Sequence, residues 1–211
     1  TPLPLSSQVN AVTFITTALD LATNFLGDDD YNIYLCRGKM LLTCGDAAAA
    51  EETFERALSL SKKSVSGNTM LGQSRVRLGK PAEARQAFGR ALELAGAGPP
   101  LTALLCLGKL SLEAGENAYA KDLFLQAARD HPSCTAWLGV GTACYRLGEE
   151  AEAEEALAEA NVLNNRDDAT WGMLALLCVG QSRYEEAEQA IKQARRIPPS
   201  RPHHAHSTPP R

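Results

Sequence analysis

Aromatic residues are scarce in this chain: two Trp, five Tyr and five Phe among 211 residues, or 6%. Hydrophobic residues nevertheless make up 45%. The apolar material is therefore mainly Ala and Leu, the strongest helix formers. Positive charge is not in excess either. The net charge is −4 and the pI about 5.6, which argues against a nucleic-acid binder with its basic face. Lys and Arg are absent from the first thirty positions, so no secretory signal with a charged n-region is present. No apolar run reaches the ~18 residues of a bilayer span. The longest candidate, Leu101 to Leu112, is interrupted by Lys109. Paired cysteine motifs are missing: Cys36, Cys44, Cys106, Cys134, Cys144 and Cys178 stand singly, with no CxxC and no Asn-x-Ser/Thr acceptor nearby or elsewhere. That pattern reads as reduced core thiols of an intracellular protein. The length allows one large domain or two small ones.

What the chain does contain is a repeat. Gly38, Gly72, Gly108, Gly141 and Ala175 form a ladder of small residues spaced by 33 to 36 positions. Twelve residues after each stands a second small residue: Ala50, Ala84, Ala120, Ala153 and Ala187. Seven further on come Ala57, Ala91, Ala127, Ala160 and Ala194. Between these two ladders sit Phe54, Phe88, Phe124, Leu157 and Ile191. Large residues precede the first ladder at Tyr34, Leu104, Trp137 and Trp171, while Asn68 breaks that series. Gly45, Gly79, Gly115 and Gly148 punctuate the units where a helix C′ residue is needed. Each unit is thus two amphipathic helices joined by a turn, the small residues permitting close approach and the bulky ones filling the gap. A period of about 34 with this pattern is the tetratricopeptide repeat, TPR. The expected fold is all-α, a TPR superhelix (α-solenoid) of about five helix-turn-helix repeats, over 31–64, 65–98, 101–133, 134–167 and 168–199.

The flanks are expected to differ. Residues 1–7 read as disordered. Val12, Ile15, Leu19, Ala22 and Phe25 recur at helical spacing and place the helix of a truncated repeat over 8–30. Asp28, Asp29 and Asp30 then stand where they can cap the next helix. The Pro- and His-rich tail over 200–211 reads as disordered. A chain that opens on Thr1 instead of Met reads as a cut section of a longer array.

In such an array the first helix of each pair faces a concave groove. The register places Leu35, Lys39 and Leu42 there from the first repeat, and Gln73 and Arg77 from the second. The third supplies Leu105, Lys109 and Leu112, and the fourth Leu138, Thr142, Tyr145 and Arg146. An apolar floor with four cations suits an extended segment or amphipathic helix carrying acidic and apolar residues. The plainer alternative packs some of these apolar residues against neighbouring helices and leaves the cations solvated. Charge is also uneven along the chain. Lys62 to Arg90 holds seven basic residues and one acid, whereas Glu149 to Glu159 holds six Glu and no base. These are either solvated second-helix faces or an array that docks between oppositely charged neighbours.

No catalytic constellation accompanies the repeat. His131 lies in a loop beside Pro132, and His203, His204 and His206 sit in the tail without fixed co-ligands. Gly139-Val140-Gly141 lacks the third glycine and the strand of a dinucleotide fingerprint. No enzyme activity, cofactor or metal is expected.

More specific residues narrow the assignment. The stretch from Pro132 through Ala143-Cys-Tyr-Arg-Leu147, on through Glu159-Ala-Asn-Val-Leu-Asn-Asn165 to Ala169–Cys178, exceeds what a TPR consensus demands. It resembles the C-terminal TPR region of the cilia- and flagella-associated protein 70 family, over about residues 10–197. That resemblance implies a non-enzymatic scaffold of the ciliary or flagellar axoneme and cytoplasm, supporting ciliary motility and cilium assembly. Its implied partners are proteins, namely axonemal complexes including outer dynein arm components, with no nucleic acid and no membrane. Family chains continue in further helical sequence where this one turns Pro- and His-rich. Two other readings remain open: a generic TPR adaptor or cochaperone-type module for an acidic or apolar peptide, and the adaptor domain of a TPR enzyme. The cochaperone clamp resembles a Lys/Asn pattern that Leu35 and Thr102 do not reproduce.

Overall fold

The computed structural model describes Thr17, residues 30–96 and residues 98–197. Among the described residues the regular structure is helical: α1 Tyr31–Cys44, α2 Ala47–Leu60, α3 Val65–Arg77, α4 Pro81–Ala95 and α5 Leu101–Glu113. These are followed by α6 Asn117–Asp130, α7 Cys134–Leu147, α8 Glu150–Leu163, α9 Asp168–Gly180 and α10 Tyr184–Arg196. Helix lengths of 13 to 15 residues match the expected helix pairs. The helix expected through Val12–Phe25 and the disorder expected over 1–7 and 200–211 lie outside the described residues.

Local chemistry sets the helix boundaries. Polar side chains cap five of the ten described helix starts, where the first amides have no intrahelical partner. Asp30 accepts the Asn32 amide at 2.7 Å, Ser64 that of Gly67 at 3.0 Å and Asp167 that of Thr170 at 2.8 Å. Pro81 starts α4, where its missing N–H costs nothing. Each first helix ends in a left-handed residue: Gly45 (φ 89°), Gly79 (71°), Gly115 (80°), Gly148 (79°) and, in the fifth pair, Ser182 (61°). The next amide then reaches back to the last turn, as Glu149 N–H does to the Cys144 carbonyl at 3.0 Å. Ser182 is the one member of this series with a Cβ, which crowds its carbonyl in that conformation. Ser182→Gly is expected to stabilise the fifth pair by about 0.5–1 kcal/mol, read as a higher urea midpoint.

The small-residue ladder has the steric role its spacing implies. A Cβ added at Gly72 would stand 2.7 Å from the Phe88 ring, and one at Gly108 2.8 Å from that of Phe124. One at Gly141 would stand 2.7 Å from Leu157. The pair can close only because the side chain is absent. Where the ladder becomes Ala175, the opposing residue becomes Ile191 and is left exposed. Asn68, which breaks the bulky series, is buried and donates from Nδ2 to the Ser64 carbonyl at 2.8 Å.

The chain forms two compact units, Thr1–Ala103 and Leu104–Arg211, divided within the first turn of α5. The core of the first gathers Leu35, Leu42, Phe54, Leu71 and Ala87. That of the second gathers Leu112, Phe124, Val140, Cys144, Leu157 and Leu177. Among the described residues no helix is long and apolar enough to cross a membrane.

Candidate interaction faces

The expected groove residues fall into three groups. Lys39 and Lys109, at equivalent positions of α1 and α5, are exposed. Gln73, Leu105, Leu138, Thr142 and Tyr145 are half-buried and present part of their surface, Thr142 also donating to the Leu138 carbonyl at 2.7 Å. Leu35, Leu42 and Leu112, expected as groove floor, are instead core, at 9%, 4% and 9% exposure. The register gives their side of the helix correctly, but packing within their unit covers them.

Arg77 and Arg146 also differ from the expectation of free groove cations. Arg77 donates from Nη1 to the Leu42 carbonyl. Arg146 donates from Nη1 to the Leu112 carbonyl at 2.6 Å. In both cases a guanidinium at the end of one first helix meets the negative C-terminal end of another first helix. These residues hold helices together.

Exposed apolar side chains also meet at the last helix pair of unit 2. Leu176 and Val179 are 52% and 49% exposed and line a 400 Å³ cleft between α9 and α10, with Gly172, Ile191 and Ala194.

Much of the charge expected to be solvated is spent between helix pairs. Glu51 on α2 accepts from Arg75 Nε at 2.9 Å and from Lys80 Nζ at 2.7 Å. Arg75 also reaches Glu55 at 2.9 Å. Lys121 on α6 bridges Glu149 at 2.6 Å and Glu152 at 2.8 Å. Arg183 reaches Glu154 on α8 at 2.7 Å. The pairs Glu51–Lys80, Lys121–Glu149 and Glu154–Arg183 join the same two repeat positions each time. Their sequence signal, opposite charges 28 or 29 residues apart, is visible once the ladders are aligned.

Electrostatics follow from these contacts. Burial alone would raise the Glu51 carboxyl, but hydrogen bonds from Lys80 and Arg75 hold it below the usual range. The Lys121 bridge lowers Glu149 in the same way. Cys144 Sγ lies within 4.8 Å of ligand atoms of Glu149 and Glu152, a spacing a metal can use. The ammonium of Lys121 already stands between those two carboxylates. Burial, opposed by the Lys121 charge, pushes the Cys144 thiol up to about 11. Only the thiolate reacts readily. Titration with Ellman's reagent at pH 8 is therefore expected to modify exposed Cys36 and Cys44 first, and buried Cys144 only after denaturant is added.

The paired helices and their ladders define a TPR protein, a helical-repeat module for protein interaction. In sequence, the family described as cilia and flagella-associated protein 70 C-terminal domain matches residues 10–198, and the chain belongs to that family. It is 36% identical over 167 residues to human cilia- and flagella-associated protein 70, covering 79% of this chain and 15% of that protein. The Macaca fascicularis protein of the same name is 52% identical over 88 residues, covering 42% of this chain and 9% of its own length. The chain thus spans only a small part of these relatives. Among solved structures, the TPR protein YrrB superposes with a TM-score of 0.74 at 17% identity, over 87% of this chain and 94% of that one. MamA from Desulfovibrio magneticus RS-1 gives 0.74 at 17% identity, over 81% and 96%. At these identities the likeness is one of fold.

Proposed function

We propose that this chain is the interaction module of a cilium-associated scaffold, and that the first-helix face of each unit, taken by itself, holds an acidic and apolar segment of an axonemal protein. Membership of the family supports the ciliary setting. The observation that carries the binding reading is the pair of exposed ammoniums, Lys39 and Lys109. They stand at one register position, one in each unit, and form no ion pair among the described residues. Half-buried Leu105, Leu138 and Tyr145 offer apolar contact in the second unit. Docking to outer dynein arm components, and through it support of motility and cilium assembly, is the finer form of this reading. It involves no chemistry on a substrate.

The test is Lys39→Glu with Lys109→Glu in the tagged full-length protein, expressed in ciliated cells. Both side chains are exposed, so helicity and melting temperature are expected to stay unchanged. Axonemal enrichment and co-purification of dynein-arm proteins are expected to fall by at least five-fold, since two attractions become repulsions. Unchanged enrichment and the same co-purifying proteins would remove the groove reading.

A further inference from the structure

Unit 2 carries a second cleft, of 700 Å³. It opens between α6 and α8, over the indole of Trp137 on α7. Leu125, Trp137 and Ala156 form its apolar floor, and Glu152, Glu155 and Glu159 its rim. The three carboxylates stand at i, i+3 and i+7 on α8, which puts them on one helix face. Lys121 engages Glu152 at one end. Glu155 and Glu159 are exposed and form no ion pair among the described residues.

The fold does not require this charge. Unit 1 has a cleft over its first helix pair, lined among the described residues by α1 and α2 alone, with Tyr34 in the place of Trp137, Glu52 in that of Glu155 and Arg56 in that of Glu159. The positions of Glu152, Glu155 and Glu159 are Ala49, Glu52 and Arg56 in the first repeat, and Glu83, Gln86 and Arg90 in the second. They are Tyr119, Asp122 and Gln126 in the third, and Glu186, Gln189 and Gln193 in the fifth. Only the fourth repeat places three carboxylates there, and only there do they surround a Trp. Helix stability does not explain the choice, because four other repeats fold without it.

We propose that this cleft docks a basic segment of a partner protein. A Lys or Arg side chain lays its aliphatic stem across Trp137 and sets its charge among Glu152, Glu155 and Glu159. The indole face attracts a cation and the stem covers the apolar floor. The rim supplies the complementary charge, which fixes sign and orientation of the partner. This site is separate from the first-helix groove and takes the opposite charge.

Calorimetric titration of the intact chain with acetylated hexalysine amide, at about 50 mM salt, tests the assignment. Saturable binding is expected, weakening as salt shortens the screening length. Glu155→Gln with Glu159→Gln is expected to weaken it by about ten-fold, two exposed attractions being lost. Glu150→Gln with Glu185→Gln removes the same charge at exposed positions outside the cleft and is expected to change affinity by less than two-fold. In a Trp171→Phe background, Trp137 emission should shift with occupancy. Lys39→Glu with Lys109→Glu should not weaken hexalysine binding, which separates this site from the groove. Equal weakening by the two glutamine pairs, or an absence of saturable binding to the intact chain, would overturn the proposal.

Discussion

Truncation of Phe124 to Ala is expected to cost about 3–5 kcal/mol, read as a lower urea midpoint for unit 2. The ring lies between two glycines on different helices, Gly108 of α5 and Gly139 of α7. Most core cavities shrink because neighbouring side chains lean in. Here two of the neighbours have no side chain to lean, so the void keeps most of its volume. The same geometry predicts non-additivity. Gly139→Ala alone drives a methyl group into the ring and is expected to cost about 1–3 kcal/mol. Combined with Phe124→Ala, the methyl enters space the ring has left, and the double variant should be more stable than the sum of the two losses predicts. A double-mutant cycle by equilibrium denaturation measures this; strict additivity would show that the ring and the glycine are not in contact.

The second large effect concerns Glu51. Glu51→Gln is expected to cost about 1.5–3 kcal/mol at pH 7, because Arg75 and Lys80 both lose a charged acceptor in a largely buried place. The sign with pH follows from linkage. The folded carboxyl titrates below its unfolded value, so its contribution is present above the unfolded value and is lost as pH falls through the folded one. The wild type should therefore lose stability on acidification more steeply than Glu51→Gln, and the two denaturation curves should converge only once the folded carboxyl is itself protonated. A constant gap down to acid pH would assign the loss to packing instead of charge. Arg75 keeps Glu55 and Glu83 as partners, which limits the damage to the neighbouring helix pair.

These two sites mark where sequence reading succeeds and where it stops. Phe124, Gly108 and the turn glycines are legible because steric constraints recur once per repeat, and a period multiplies a weak signal. Gly139 is not part of that period. Its contact with the Phe124 ring depends on the neighbouring pair's helix, which no local pattern reports. The groove shows the same boundary. Helical register assigns a side chain to one face, which is enough for Lys39 and Lys109. It does not say how far the next helix overlaps that face, so Leu42 and Leu112 read as floor although they are core. The bonds of Arg77 and Arg146 escape the register for a related reason. Their acceptors are backbone carbonyls 35 and 34 residues away, and carbonyls leave no trace in residue type. Composition shows the charged runs, but not that part of each pairs across one repeat length. The acidic cleft over Trp137 was half visible as a Glu-rich run; its aromatic floor comes from a different helix.

Three of the ion pairs between successive helix pairs run Glu to Lys, Lys to Glu and Glu to Arg. Because their direction is not constant, the repeats are not interchangeable parts. A chain that mispaired during folding, seating α10 on α6 instead of on α8, would bring Arg183 against Lys121. Placing another copy of the fourth repeat behind α8 would set Glu149 against Glu154. Steric ladders shared by every repeat tolerate either error, since one Gly–Phe pair resembles the next. The charges act as a partial address code laid over a repetitive scaffold, so that a molecule made of near-identical pieces rejects some wrong orders of assembly that its steric ladders would accept.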